Sequence, residues 1–337
     1  MIKKLVSLLF TLLALAAVGY FYVTKQVEDY LTQPLGIETK QLFTVNAGTS
    51  LNSALTQMTR QEWITHSFAA KLVRRFHPEL VQIKKGTYQV EPQSTLRDAL
   101  NLLVSGKEHQ FAITFVEGSR FNEWLAMLAH DEQLEHTLAG KSEAEIAQLL
   151  GVEQKKLEGL FLAETYHFTK GTSDLDILKR AHAKLEAILD SAWQQRQPDL
   201  PLKSPYEALI LASIIEKETA VEEERTRVAS VFVNRLNKRM RLQTDPTVIY
   251  GMGESYDGNI RRKDLRTATP YNTYVINGLP PTPIAMPGEA SIAAALNPEQ
   301  SAYLYFVASG NGGHVFSKSL TEHNRAVRAY LKQLRQQ

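Results

Sequence analysis

Nineteen residues without a charge, Leu5 to Val23 (LVSLLFTLLALAAVGYFYV), stand near the start of the chain. At ~1.5 Å per residue such a run covers ~28 Å as a helix, close to the thickness of a hydrocarbon core. The pattern predicts a single transmembrane helix, with residues 1–24 forming a short cytoplasmic tail and the transmembrane anchor. Tyr20 and Tyr22 fall near its far end, where amphipathic rings favour the membrane–water interface. Lys3 and Lys4 precede it, so the bias of positive charge predicts a cytoplasmic N-terminus with everything after Lys25 outside. A cleaved signal peptide is the competing expectation, because the run is short and Ala14-Leu15-Ala16 offers a small-residue cleavage pattern. In either case the body of the chain is exported. A multi-span transporter is excluded, since no second run of this length follows.

Residues 25–40 are polar with one proline and no strong period, which predicts a linker leaving the membrane. A repeated pattern follows. Phe43-Thr44-Val45 leads through Asn46-Ala47-Gly48-Thr49-Ser50 into LNSALTQM, and Tyr88-Gln89-Val90 leads through Glu91-Pro92-Gln93-Ser94-Thr95 into LRDALNLL. Each unit reads as a strand, a turn, a Ser/Thr cap and an amphipathic helix. A longer helical stretch is expected between them, about Ile64 to Arg75, ended by Pro78. Residues 41–110 are therefore expected to form a small α+β module of roughly LysM size, or else the edge of one larger domain. Ile113-Thr114-Phe115-Val116, Glu117-Gly118-Ser119 and RFNEWLAML repeat the pattern at the start of a larger mixed α+β region, 111–337. From about 120 to 200 the periodicity is mostly helical. From 244 onward Pro246, Pro270, Pro280, Pro281, Pro283 and Pro287 exclude one long helix.

Composition narrows the function classes. The 337 residues are 44% hydrophobic and include no cysteine, which excludes a disulfide framework, a thiolate nucleophile and Cys-built metal sites. The 38 Lys plus Arg against 36 Asp plus Glu become 36 against 36 once Lys3 and Lys4 are set aside. A neutral body argues against nucleic acid as the main partner, although Lys71, Arg74, Arg75, Lys84 and Lys85 form local basic patches. None of the nine histidines has a ligand-like spacing, so no metal or other cofactor is expected. The glycines before His314 lack the Lys-Ser/Thr of a phosphate loop and predict a hairpin turn.

The most informative segment starts at Ser204-Pro205-Tyr206-Glu207, a helix start with Pro at the first helical position, and continues ALILASIIEKETA. Between Ala208 and Ile215 the one polar side chain is Ser213, so this helix is expected to be buried on most of its circumference. Glu216 and Glu218 close it, about 200° apart around the axis. Glu218 continues the stripe of Leu211, Ile214 and Ile215; Glu216 lies over Leu209, Ala212 and Ser213. A carboxyl at the end of an apolar stripe is desolvated, which raises its pKa and suits a general acid. A structural helix-end carboxylate paired with a nearby cation fits the same position. Helix position alone does not decide between them.

The run Ala212-Ser213-Ile214-Ile215-Glu216-Lys217-Glu218-Thr219-Ala220 is followed by Val228-Ala229-Ser230-Val231-Phe232-Val233-Asn234-Arg235-Leu236 and by Arg241-Leu242-Gln243-Thr244-Asp245-Pro246-Thr247-Val248-Ile249-Tyr250-Gly251. With Tyr271-Asn272-Thr273-Tyr274, Gly278-Leu279-Pro280-Pro281 and Ala302-Tyr303-Leu304-Tyr305-Phe306-Val307, these blocks closely resemble the MltG (YceG-like) endolytic murein transglycosylases over nearly the whole chain. The resemblance implies that Glu218 is the catalytic acid/base. It implies sugar contacts from Gln243, Thr244, Asp245, Tyr250, Asn272 and Tyr274, each with a turn or core role as the alternative. One departure stands out: where the family has Phe-Leu-Pro-Asp-Thr-Tyr or a close variant, this chain has Phe161-Leu162-Ala163-Glu164-Thr165-Tyr166, which leaves the role of Glu164 open.

Most glycosidases need two carboxylates. The resemblance implies one, because the C6 hydroxyl of N-acetylmuramic acid (MurNAc) attacks its own C1 and leaves a 1,6-anhydro end. It also implies a bacterial inner-membrane protein with periplasmic domains, peptidoglycan glycan strands as substrate, peptidoglycan synthases as partners, and a role in terminating nascent strands. A catalytically silent peptidoglycan-binding scaffold, using the LysM-like module, is the alternative, and a hydrolase is a third.

Overall fold

The apolar run at the start winds into one helix, α1 (Ile2–Leu31), whose N-terminal window is unburied, has a mean hydropathy of 2.1 and is long enough to cross a membrane. The computed structural model describes residues 2–336, which fall into two compact units. One holds the residues up to Phe111 together with His167–Lys170; the other holds Ala112–Tyr166 and the chain from Gly171 onward.

In the first unit α1 is followed by β1 (Gln41–Val45), α2 (Leu51–Arg60), α3 (Ala70–Phe76), β2 (Gly86–Val90) and α4 (Leu96–Ser105). The strands pair antiparallel, with Phe43 opposite Tyr88 and Val45 opposite Gly86. Alternation puts Phe43, Val45, Tyr88 and Val90 into the core. Both expected caps form: Ser50 accepts from the Ser53 amide, and Thr95 with Asp98 makes a reciprocal capping box. Helical spacing then buries Leu51, Ala54, Leu55 and Met58 on α2, and Leu96, Ala99, Leu100 and Leu103 on α4.

Two expectations for this unit need correction. Residues 25–40 are not simply a polar linker, because α1 continues to Leu31 and Val27, Tyr30, Leu31, Leu35 and Ile37 join the hydrophobic core. Val27, Tyr30 and Leu31 carry the helical spacing of three and four past the charged residues that disguised it, and Leu35 and Ile37 follow from the segment after the helix. The helix expected over 64–75 is shortened to α3. Thr65 gives its amide and hydroxyl to Gln33 Oε1, and Ser67 Oγ takes the Ala69 amide, so local side-chain bonds replace the first helical turn.

The second unit takes in most of β3 (Phe111–Thr114), then α5 (Phe121–His130), α6 (Glu143–Leu150), the start of β4 (Thr165–Phe168), α7 (Asp174–Gln194), α8 (Pro205–Glu218), α9 (Glu222–Asn237), α10 (Asp245–Met252), α11 (Glu289–Leu296), β5 (Tyr305–Ala308), β6 (His314–Ser317) and α12 (Leu320–Leu334). β4 interrupts a region expected to be mostly helical. Four residues are too few for the alternation of Tyr166 and Phe168 to outweigh the helical period on either side. The glycines before His314 do form the turn of a hairpin, in which β5 and β6 pair antiparallel with Phe306 opposite Phe316.

Helix α8 is the axis of this unit. Every residue from Ala208 to Ile215 is buried, as an all-round apolar helix must be. Helix α11 lies against it with Ile292, Ala294, Ala295 and Leu296 buried, and α9 adds Val228, Val231 and Phe232. The lone hydroxyl inside is satisfied: Ser213 donates to the Ile210 carbonyl at 2.7 Å and accepts from the Ile284 amide at 3.0 Å. Such burial fixes the C-terminal end of α8, and with it the two carboxylates that follow the apolar run.

Candidate active site

Glu216 and Glu218 leave α8 in different directions and meet different chemistry. Glu216 accepts the Gly288 amide at 2.9 Å, placing an anion at the N-terminus of α11, where the helix dipole favours it. It is a structural clasp. Glu218, the last residue of α8, is half-buried, enclosed by protein and open on a cleft of about 420 Å³.

The cleft walls come from five segments. Helix α9 supplies Phe232 and Arg235; the stretch leading into α10 supplies Leu242, Gln243 and Thr244, with Asp245 at the start of that helix; Tyr274 stands on a loop; Tyr305 and Phe306 come from the hairpin and His323 from α12. The Thr244 hydroxyl donates to Glu218 Oε1. Thr244 is itself held by its amide, which donates to Thr273 Oγ1 at 3.0 Å. Tyr274 donates to Asp245 Oδ1 at 2.7 Å. Gln243 adopts φ +52°, a strained left-handed conformation for a side-chain-bearing residue, and such strain gathers at sites that a surrounding structure over-determines.

Burial pushes the Glu218 carboxyl above its ordinary range. The hydrogen bond from Thr244 works against this by favouring the anion, the nearby Asp245 charge raises the pKa again, and His314 and Arg235 lower it. Among the described residues no lysine or arginine forms an ion pair with Glu218. The guanidinium of Arg235 is instead spent mainly on backbone: its Nε donates to the Leu304 carbonyl at 2.7 Å and Nη1 to the carbonyls of Arg241 and Leu242 at 3.1 and 2.9 Å, with Gln243 Oε1 at 3.3 Å. One arginine therefore ties the hairpin to the stretch that carries Thr244. A carboxyl that holds its proton more tightly than usual, with a hydroxyl partner and set in a polar groove, can protonate a leaving oxygen and take a proton back.

Four of the six residues expected to contact sugar, Gln243, Thr244, Asp245 and Tyr274, share the cleft with Glu218. Asn272 and Tyr250 are not among its lining residues. Asn272 is almost fully buried, donates to the carbonyls of Asp264 and Thr267 at 3.0 and 2.7 Å, and accepts the Tyr274 amide, so it folds the loop beneath Tyr274. Tyr250 packs on Tyr271 and under the Arg120 guanidinium, and its hydroxyl bonds to Glu158. Glu164 forms an ion pair with Lys184 and also lies outside the lining.

Several cleft residues were not singled out from the sequence. Arg235, Tyr305 and Phe306 were present in the matching blocks, and the arginine inside the apolar run VASVFVNRL was the available signal. His323 carried none, since its place depends on how α12 returns to the cleft. Glu158 is a second buried carboxyl: it accepts the Phe121 amide at 3.0 Å, and burial pushes it up to about 7. Among the described residues no three His, Asp or Glu side chains group as a metal site would need.

The profile of the YceG-like family matches residues 43–329. The chain is 33% identical to an endolytic murein transglycosylase of Bacillus subtilis (strain 168) over 73% of this chain and 72% of that protein. It is 25% identical to a protein of the same name from Streptococcus pneumoniae serotype 2 over 97% of this chain, and spans 65% of that longer relative, just under two thirds. A crystal structure of a yceG-like protein from Listeria monocytogenes matches with a TM-score of 0.51 at 30% identity, covering 86% of this chain and 99% of the other.

Proposed function

This chain belongs to the YceG-like family and is a lytic transglycosylase, and from that premise we propose that it cleaves the MurNAc-β-1,4-GlcNAc bond (GlcNAc being N-acetylglucosamine) inside peptidoglycan strands, with Glu218 as its single acid/base. The observation that carries the proposal is the Glu218 carboxyl, raised by burial, hydrogen-bonded to Thr244 and open on the cleft.

In the first step Glu218 gives its proton to the O4 oxygen of the departing GlcNAc as the C1–O4 bond breaks. The C6 hydroxyl of the same MurNAc then bonds to C1, and its proton passes to the Glu218 carboxylate. The 1,6-anhydro ring closes, the enzyme regains its starting protonation state, and no water is consumed. Tethered attack has an effective molarity that makes activation of water unnecessary. The transition state has oxocarbenium character. Asp245, oriented by Tyr274, is placed in the cleft to offset that positive charge, and Gln243 and Thr244 offer polar contacts to sugar.

We further propose that α1 anchors the enzyme in the inner membrane, with a cytoplasmic N-terminus and the two units in the periplasm. There it would act on strands as synthases extend them and so end their elongation, with the module at 41–110 holding glycan. Length and hydropathy of α1 support the anchor.

The test is digestion of purified glycan strands in ¹⁸O-labelled water, followed by mass analysis. The proposal expects 1,6-anhydro ends without the label, and none from Glu218→Gln. A labelled, reducing MurNAc end would make the enzyme a hydrolase with Asp245 as the second carboxylate. Undiminished cleavage by the variant would remove Glu218 from the chemistry, and no cleavage by either protein would leave a binding scaffold.

A further inference from the structure

Helix α3 lies against α1, and two contacts give its direction. The Phe76 ring sits 5.9 Å from that of Tyr20, whereas Ala70 and Lys71 share a groove with Tyr30, ten residues farther along α1. The two helices are therefore antiparallel, and α3 points its C-terminus back toward the uncharged run. Tyr20 still belongs to that run, so the last turn of α3 stands at the depth where the run leaves hydrocarbon.

The charges at this end are of one sign. α3 reads AKLVRRF, with three cations and no acid, and Arg74 and Arg75 are exposed. Among the described residues neither arginine has an ion-pair partner. The neighbouring acids are engaged: Glu28 holds Arg97 at 2.6 Å and His77 at 2.9 Å, and Glu79 holds His77 at 2.9 Å. Asp29 is nine residues beyond Tyr20 on α1, about 14 Å farther from the apolar run. Lys25, exposed on α1 and five residues past Tyr20, adds a cation near the same level.

We propose that Arg74 and Arg75 bind the anionic phospholipid headgroups of the membrane that α1 spans, seating the first unit on the bilayer surface. Guanidinium forks match phosphate oxygens in pairs, which suits arginine here better than lysine. The tether makes the encounter intramolecular, so modest attraction per headgroup is enough to hold the unit down. This inference rests on α1 being a membrane anchor, and its test separates the two.

The chain has no native cysteine, so one introduced cysteine carries a spin label without competition. The full chain, labelled at Leu13→Cys or Pro78→Cys, is placed in nanodiscs of phosphatidylcholine with or without phosphatidylglycerol. Relaxation of the Leu13 label by dissolved oxygen reports the anchor, and relaxation of the Pro78 label by nickel-chelating lipid reports contact with headgroups. The Leu13 label is expected in hydrocarbon in both discs. The Pro78 label is expected at the headgroups only with phosphatidylglycerol, with its docked-to-undocked ratio falling roughly 30-fold on Arg74→Gln/Arg75→Gln, and falling also at high salt. A Pro78 label equally docked in the double variant, or never docked while Leu13 stays buried, overturns the inference and leaves the anchor standing. Displacement by inorganic phosphate, or docking that needs two protein copies per disc, overturns it in favour of a free anion or a second copy. A water-exposed Leu13 label removes the anchor and the inference together.

Discussion

Replacing Glu158 by Gln removes a charge that the fold does not want. Glu158 is 6% exposed, accepts the Phe121 amide, and bonds to the hydroxyl of Tyr250. Its pKa rises from the ordinary 4.5 to about 7, chiefly through desolvation. Because the folded chain binds this proton more tightly than the unfolded chain does, the contribution of Glu158 to stability is greatest below pH 4.5. That contribution falls as pH rises to about 7, then levels off. At about 1.4 kcal/mol per pH unit, the loss is on the order of 3 kcal/mol. Glutamine keeps an acceptor for the Phe121 amide and has no proton to lose. Urea unfolding of both proteins across pH 4.5 to 8, followed by tryptophan fluorescence, isolates the effect as a difference. Trp124 reports the same core, since it stacks on Phe115 and lies 5.8 Å from Phe161, which stacks on Phe121. The stability of Glu158→Gln relative to the parent should grow by about 3 kcal/mol over that interval. A difference that stays constant with pH would refute the reasoning, because it would mean that Glu158 is ionised throughout.

Other expectations follow from the same geometry. Thr244→Val removes the hydroxyl that favours the Glu218 anion, so the alkaline limb of kcat/KM should move to higher pH and activity at neutral pH should fall less than at low pH; a pH–rate profile checks this, and an unmoved limb contradicts it. Arg235→Met strands the carbonyls of Leu304, Arg241 and Leu242 and should cost roughly 3 kcal/mol in thermal or urea unfolding, while Arg235→Lys recovers little because a single ammonium cannot reproduce the fork. Asn272→Ala loses two donated hydrogen bonds and should cost about 2 kcal/mol. Tyr274→Phe should instead lower kcat by roughly 10-fold with little change in unfolding, since it frees Asp245 without opening the core.

Legibility of the sequence divided along the range of the interactions involved. Local signals were readable: the caps at Ser50, Thr95 and Ser204, the two strands joined by a glycine turn before His314, and the all-apolar stretch of α8 depend on residues within one or two turns of each other. The opposition of Glu216 and Glu218 was also local, because helix geometry alone sets it. What escaped was set by distant partners. The end of α1 joins a core built from β1, β2 and α4, and nothing between residues 25 and 40 states that. Asn272 and Tyr250 belong to the same blocks as the cleft residues, and block membership cannot tell a side chain that lines the cleft from one that supports its wall. Glu158 lies in a polar stretch, EQKKLEG, that gives no hint of burial.

The most direct test is the titration of Glu218 itself. In protein labelled with ¹³C at the glutamate carboxyls, the resonance missing from Glu218→Gln identifies the residue, and its shift is followed with pH. The account predicts a midpoint clearly above 4.5 in the parent protein, rising further in Thr244→Val. A midpoint at or below 4.5 would mean that the carboxyl is already a solvated anion at neutral pH, without a proton to deliver to the leaving sugar.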